Sequence, residues 1–279
     1  MNSKNLLTRT VAGIIYIAVI LIGILGGKYS FISVFGVFLA VGLFEFYRMV
    51  EKNRSHAISK VFNIASGVLI FLSAYLYLEN ICKIALPIIS ILYLLILFVS
   101  VVFTSQKDIL HTIIYSVFGQ IYITVPLSTL MLISYQHQTL SNTYYYAFVL
   151  AIFVFIWVND TAAFMVGSLF GKHKLIERIS PKKTVEGFIG GIVFSVLAAI
   201  VLSSTFFTDY SSAFWIGFGI IAALFGTLGD LFESLIKRTY EVKDSGSLIP
   251  GHGGILDRID SLLIAIPAIY IYLSIILVS

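Results

Sequence analysis

Asp230, Glu233 and Lys237 fall at i, i+3 and i+7, so a helix places all three on one face; Asp257 and Asp260 repeat the i, i+3 spacing further along. Paired carboxylates beside basic side chains suit a divalent cation held together with a phosphate chain, and donors that are all oxygen favour Mg2+ over zinc or copper. Residues 230 to 260 hold six acidic and four basic side chains in a chain that is only 11% charged. A charge at membrane depth costs ~2.5–3.5 kcal/mol on the insertion scale, so a cluster this dense in an apolar chain points to chemistry on a charged substrate. Single pairs also have a plainer reading. Glu233 with Lys237 is a well-spaced i, i+4 ion pair, and Asp257 beside Arg258 is a neutralised pair at a membrane interface.

Between the two acidic segments runs Lys243-Asp244-Ser245-Gly246-Ser247-Leu248-Ile249-Pro250-Gly251-His252-Gly253-Gly254. Glycines permit positive φ and close backbone approach, so successive N–H groups can form an anion receptor near a helix N-terminus; an ordinary turn uses the same residues. His252 suits a general acid, a phosphate donor or a hydrogen-bonded turn residue. A second basic loop runs from Gly171-Lys172-His173-Lys174 to Ser180-Pro181-Lys182-Lys183-Thr184-Val185-Glu186-Gly187. Its lysines could grip phosphates, with Ser180 and Thr184 capping the next helix, although topology alone also accounts for basic residues there. Gly167 to Lys172 resembles a P-loop but is one residue short, and His173 stands where Ser or Thr would meet Mg2+, which excludes that reading. Asp160 is a further acid, inside the apolar run FVFIWVNDTAAFMVG.

The elements that must position these groups are membrane helices. Hydrophobic residues make up 59% of the 279, with a mean hydropathy of +1.00. Nine apolar stretches are long enough to span a bilayer, near 10–26, 29–47, 60–79, 84–104, 109–134, 144–168, 187–207, 213–237 and 260–278. The first follows Lys4 and Arg9 as a signal peptide would, but no small-x-small cleavage pattern follows, so it reads as a retained helix. With nine spans, alternate loops collect every Lys and Arg except Lys28 and Lys83, which predicts a cytoplasmic N-terminus and an external C-terminus. The net charge of +4 is then a topology signal, and no nucleic-acid partner is expected. Cys82 is the single cysteine, which excludes an intrachain disulfide and a cysteine zinc site. The expected fold is an all-α polytopic integral membrane protein forming a single domain over 1–279. Helices in 1–140 serve mainly as scaffold, and 141–279 form a catalytic half with cytoplasmic loops 169–187 and 238–259.

The segment Ser234-Leu-Ile-Lys237-Arg238-x4-Lys243-Asp244-x-Gly246-x2-Ile249-Pro250-x-His252-Gly253-Gly254-Ile255-x-Asp257-Arg258-Ile259-Asp260 closely resembles the family motif of phosphatidate cytidylyltransferases, without departure over its 27 positions. Ser180 to Gly187 and Asn159-Asp160 also look like family features, and the nine-span layout is similar along the chain; residues before about 140 match only in hydropathy. The resemblance implies the reaction of CTP with phosphatidate to CDP-diacylglycerol and pyrophosphate. It implies Mg2+ held by Asp230 and Asp257, then Asp260 and Glu233, with room for a second metal or a monovalent cation. Asp230, Asp257, Lys237 and Asp260 would form the catalytic set. Lys237, Arg238, Lys243 and Arg258 would neutralise triphosphate or pyrophosphate, joined by His252, Gly253 and Gly254. Lys182, Lys183 and Thr184 would engage a substrate phosphate, and Asp160 would complete the polar cavity. Partners are CTP and phosphatidate in the membrane, and the family implies a homodimer, with the site on the cytoplasmic face, of the inner membrane in a bacterium. Two alternatives stay open: a CTP-dependent polyprenol or lipid kinase, and a cation-coupled transporter, whose usual inverted repeats are not evident.

Overall fold

A computed structural model describes residues 3–52, 59–103, 108–136, 144–206, 208–249, 251 and 253–278. They form α1 (Ser3–Leu25), α2 (Lys28–Lys52), α3 (Lys60–Leu78), α4 (Ala85–Val102), α5 (Ile109–Gly119), a π-helical segment (Gln120–Thr124), α6 (Val125–Ile133), α7 (Tyr146–Phe170), β1 (Lys174–Ile176), β2 (Ser180–Thr184), α8 (Val185–Thr205), α9 (Ser212–Thr239) and α10 (Leu256–Val278). Eight helical stretches among the described residues are long and apolar enough to cross a membrane, and Thr10–Leu25 adds a shorter apolar helix. Lipid offers no partners to backbone N–H and C=O groups, so apolar runs of this length become helices, and the expected polytopic helical architecture is what the structure shows.

Three local departures from the expected spans matter. The basic loop after α7 is not irregular; β1 and β2 pair antiparallel, with Lys174 opposite Thr184 and Ile176 opposite Ser180. The ninth span begins at Leu256 rather than near 260, which places Asp257 in the first turn of α10. The fifth is interrupted by the π segment, followed directly by Pro126 in the first turn of α6. Proline has no N–H to continue the ladder, and a π turn is one way a helix accommodates the mismatch.

The chain divides into two compact units, residues 1–144 with 240–258 and residues 145–239 with 259–279. In the first, Phe31, Phe35, Phe46 and Tyr47 of α2 are buried. A polar network threads the same unit: Tyr93 donates to Asn63 Oδ1 at 2.8 Å, Gln120 Nε2 to the Asn63 carbonyl at 2.7 Å, Thr124 to Gln120 Oε1 at 2.7 Å and Tyr47 to the Ser116 carbonyl at 2.8 Å. Between membrane helices, packing and such hydrogen bonds replace the hydrophobic drive available in water, so the network ties α2 to α5 and the π segment together.

In the second unit, α7, α8 and α9 pack closely because small residues face large ones. A Cβ on Gly190 would meet Val166, and one on Gly191 would collide with Asn159. Gly217 and Gly219 likewise leave room for Tyr272 and for Phe155 with the Ser195 carbonyl, so these glycines serve contacts within the chain. An aromatic cluster of Phe148, Tyr210, Phe214, Trp215 and Phe218 gathers near the starts of α7 and α9, with Tyr210 and Phe214 stacked at 4.5 Å. Asp160 and Asp230 each lie twelve residues further along their helices than a member of this cluster, about 18 Å at 1.5 Å per residue. One end of the unit is therefore an apolar anchor and the other carries the charges.

Candidate functional site

Thr184 ends β2 and caps α8, its Oγ1 accepting the Gly187 N–H at 3.1 Å. Glu186, in the first turn of α8, accepts the N–H groups of Lys172 at 3.1 Å and His173 at 3.2 Å. These two caps fold the β hairpin back over the C-terminal end of α7. Gly167 and Gly187 make that approach sterically possible: a Cβ on either would press against Thr184 Oγ1.

The hairpin thereby delivers Lys182 and Lys183 to a cavity of about 350 Å³ also lined by Asp160, Phe164, Thr184, Phe188, Thr227 and Asp230. That volume lies at the lower end of the range for small-molecule sites. Lys183 Nζ sits 2.6 Å from Asp230 Oδ2, and Ser234 donates to Asp230 Oδ1 at 3.3 Å. Buried Asn159 bridges Asp160 Oδ1 and Thr227 Oγ1 through its amide at 3.2 and 3.3 Å. The sequence had placed Asp160, Lys182, Lys183, Thr184 and Asp230 in three separate segments; the fold brings them around one cavity.

Asp260, whose Oδ1 accepts the Ser261 N–H at 2.6 Å, lies near enough to Asp230 and Asp160 for their charges to interact. Lys237, close to the same group, is ion-paired to fully buried Glu233. That i, i+4 pair is the plainer of the two readings of their spacing. Arg238, the next residue, is exposed. Three oxygen donors, Asp160, Asp230 and Asp260, fit a hard cation by their chemistry. Among the described residues, no three acidic, histidine or cysteine side chains are gathered tightly enough to form a complete cage. Mg2+ ordinarily takes one or two carboxylates and completes its shell with water and substrate phosphate, so these residues fit it.

In the other unit, the glycine-rich loop forms a second polar cavity, about 500 Å³, lined by Lys243, Asp244, Gly246, Ser247, Gly253 and Arg258. Gly251 and Gly253 take φ of 74° and 85°, a region L side chains rarely adopt. Asp257 organises the loop from the start of α10: its Oδ2 accepts the Ser245 N–H at 2.9 Å, the Ser245 hydroxyl at 3.0 Å and the Gly254 N–H at 2.8 Å. The Arg258 carbonyl accepts the Tyr16 hydroxyl at 2.8 Å. His252 lies outside the described residues.

Glu45 was not among the residues singled out from the sequence. It is 4% exposed in α2 and accepts the N–H groups of Ile255 at 3.1 Å and Leu256 at 2.8 Å and the Ser245 hydroxyl at 3.1 Å. A Cβ on Gly246 or Gly254 would collide with its carboxylate. The close backbone approach that the glycines permit thus serves an anion belonging to the protein itself. A signal for it existed: one acid in the apolar run FLAVGLFEFYRMV is a functional hypothesis by default at membrane depth.

Helices long and apolar enough to cross a membrane, with a lysine- and carboxylate-lined cavity among them, define a polytopic membrane protein whose cavity suits phosphate groups. The model of the cytidylyltransferase family matches residues 7–276, and the chain belongs to that family. Among its relatives, a protein of Staphylococcus saprophyticus named phosphatidate cytidylyltransferase is 46% identical over 141 residues, covering 50% of this chain and 53% of the relative. Proteins of the same name from Staphylococcus haemolyticus and Staphylococcus aureus are 47% identical over 141 residues and 46% over 139, with coverage of 50% and 53%, and of 49% and 52%. The chain spans about half the length of the curated relatives it matches.

Proposed function

We propose that this chain transfers CMP from CTP to phosphatidate, giving CDP-diacylglycerol and pyrophosphate. The observation that carries the reading is the cavity in which Lys182 and Lys183 meet Asp160 and Asp230, in a chain whose named relatives are phosphatidate cytidylyltransferases. A phosphate oxygen of phosphatidate attacks the α-phosphorus of CTP, a new P–O–P bond forms, and the bond to the bridging oxygen of the β-phosphate breaks as pyrophosphate leaves. Phosphatidate is already ionised near neutral pH, so the chain need not supply a strong base. Its task is to bring two polyanions together.

Lys182 and Lys183 neutralise substrate phosphate, and Lys183 leaves Asp230 for it as substrate enters. Asp230, Asp260 and Asp160 would hold Mg2+, which supplies charge neutralisation at the reacting phosphates. Lys243 and Arg258 face the loop cavity and offer cations to a triphosphate or pyrophosphate. For Asp257 the family resemblance implies metal ligation, while the three donors on its Oδ2 support a loop-holding role, and the present reading rests on the latter. His252, Gly253 and Arg238 complete the proposed substrate contacts. The excess of Lys and Arg on one side of the spans supports a cytoplasmic site, where soluble CTP meets a lipid whose acyl chains stay in the leaflet. The family resemblance extends the proposal to a homodimer, checked by the mass of the purified particle.

The decisive experiment incubates purified full-length protein with phosphatidate, Mg2+ and CTP labelled on either the α- or the γ-phosphate, with EDTA as control. Label from the α-phosphate in lipid, with pyrophosphate released and EDTA abolishing both, supports the reading. Label from the γ-phosphate in a lipid alcohol, with CDP released, would assign a lipid kinase instead.

A further inference from the structure

The N–H groups best placed to receive a substrate anion at the start of α10 are already used. Ile255 and Leu256 give theirs to Glu45, and Ser245 and Gly254 give theirs to Asp257. Glu45 comes from α2, 200 residues before Ser245. Two positions after it on that helix stands Tyr47, rotated by about 200° at 3.6 residues per turn, so the two side chains leave α2 on nearly opposite faces. Tyr47 ties α2 to the Ser116 carbonyl and receives the Gln120 amide at 3.4 Å, which joins it to the Asn63 and Tyr93 network. One face of α2 is therefore locked into a fully buried polar network, while the other grips the glycine-rich loop.

We infer that Glu45 is a positioning residue: from α2 it holds Ser245, Ile255 and Leu256, the two ends of the glycine-rich loop, and thereby sets the affinity of the loop for the triphosphate of the nucleotide. The inference rests on the function proposed above. A carboxylate suits the position because all three donors point at acceptors only. Glutamine would turn an NH2 group toward one of them, and Gly246 and Gly254 lie directly against the carboxylate. Aspartate keeps the charge on a stem one methylene shorter. The part of the chain read as scaffold then takes a direct hand in shaping the substrate loop, although Glu45 itself need not touch substrate.

The test compares full-length wild type, Glu45→Gln, Glu45→Asp and Ser245→Ala in the same lipid nanodiscs. Amide hydrogen exchange is read at Ile255 and Leu256, equilibrium binding of CTP is measured directly, and KM for CTP and for phosphatidate are determined. Glu45→Gln is expected to speed exchange at both amides and to weaken CTP about 10–100-fold, as loss of a residue supporting a binding group typically does, with KM for phosphatidate within about twofold. Glu45→Asp should recover part of the loss, and Ser245→Ala, which removes one donor only, should shift CTP affinity in the same direction by less. Should Glu45→Gln fail to fold, Glu45→Asp and Ser245→Ala carry the test through the same readouts. Unchanged exchange at Ile255 and Leu256, or an equal loss for CTP and phosphatidate, overturns the inference. A wild type that binds CTP but makes no CDP-diacylglycerol would sink the proposed reaction, whereas exchange and CTP binding still decide the role of Glu45.

Discussion

Both units of this protein hold carboxylates among polar groups, yet they use them in opposite ways. Glu45 and Asp257 accept backbone N–H and hydroxyl donors from the glycine-rich loop and the start of α10. Asp160 and Asp230 instead face a cavity, and Asp230 is matched by the ammonium of Lys183, a flexible side chain that can exchange one anion for another. A carboxylate held by backbone is structural because moving it would leave buried donors unsatisfied. A carboxylate that faces a cavity and is held by lysine is poised, since substrate phosphate or a cation can replace its partner without breaking the fold. Donor type together with an open cavity therefore separates the two roles where residue type and spacing do not.

The sharpest way to break this comparison is Asp230→Asn. It is expected to lower turnover by about 10³-fold, the scale of losing one charge-stabilising group at a reacting centre, with the thermal midpoint and membrane insertion unchanged. Substantial activity in that variant would remove the cavity from the chemistry.

Asp257→Asn should behave differently, lowering stability and activity together. Three hydrogen bonds to a charged acceptor become bonds to a neutral one, a loss of roughly 1–3 kcal/mol in total. Thermal unfolding of the purified protein reads this directly, and an unchanged midpoint would contradict the loop-holding role. Lys183→Met comes next, with CTP-dependent turnover falling about 10–100-fold and Lys183→Arg restoring part of it. Equal activity of the Met and Arg variants would show that the cation at this position does not matter.

The smallest effect is expected at a polar cluster of the first unit that the proposed chemistry does not use. The Lys28 ammonium lies 2.7 Å from Glu79, and Tyr135 donates to the same carboxylate at 2.6 Å. Those bonds, the lysine's first, hold the Glu79 carboxyl below its ordinary 4.5. A carboxylate with a lowered pKa in the folded state contributes stability at pH above the unfolded value and loses it as pH falls through the folded one. The midpoint difference between wild type and Glu79→Gln should accordingly be constant from pH 8 down to about 5 and shrink below the ordinary carboxylate range. A difference that persists undiminished in acid would mean that the cluster acts by packing alone.

Much of this was readable in the linear chain. Runs of about 20 apolar residues can do little in lipid except form helices, so the spans and their order follow from hydropathy. The sequence also brought out Asp160 and Asp230 as anomalies, because charges in such runs are costly enough to need a purpose, whereas the two lysines read equally well as topology signals in a loop. Helical spacing put Glu233 and Lys237 on one face and left open whether they bind substrate or each other. In the structure the two side chains pair with each other. Spacing also paired Asp257 with Asp260, but Asp257 turns to Ser245 and Gly254 while Asp260 shares the field of Asp230. The π segment before Pro126 escaped detection because hydropathy does not distinguish one helical register from another. The β hairpin escaped because Lys174, Arg178, Lys182 and Lys183 read equally well as a basic loop.

Local chemistry thus determined which segments cross the bilayer and which few residues are out of place there, since both depend on transfer costs summed over neighbours in the chain. Only tertiary structure decided that Glu45 holds the glycine-rich loop and that lysines from a hairpin meet acids from two helices. Those pairings depend on hydrogen bonds only about 3 Å long between residues far apart in sequence, and no local pattern records which distant donor will fill a given carboxylate.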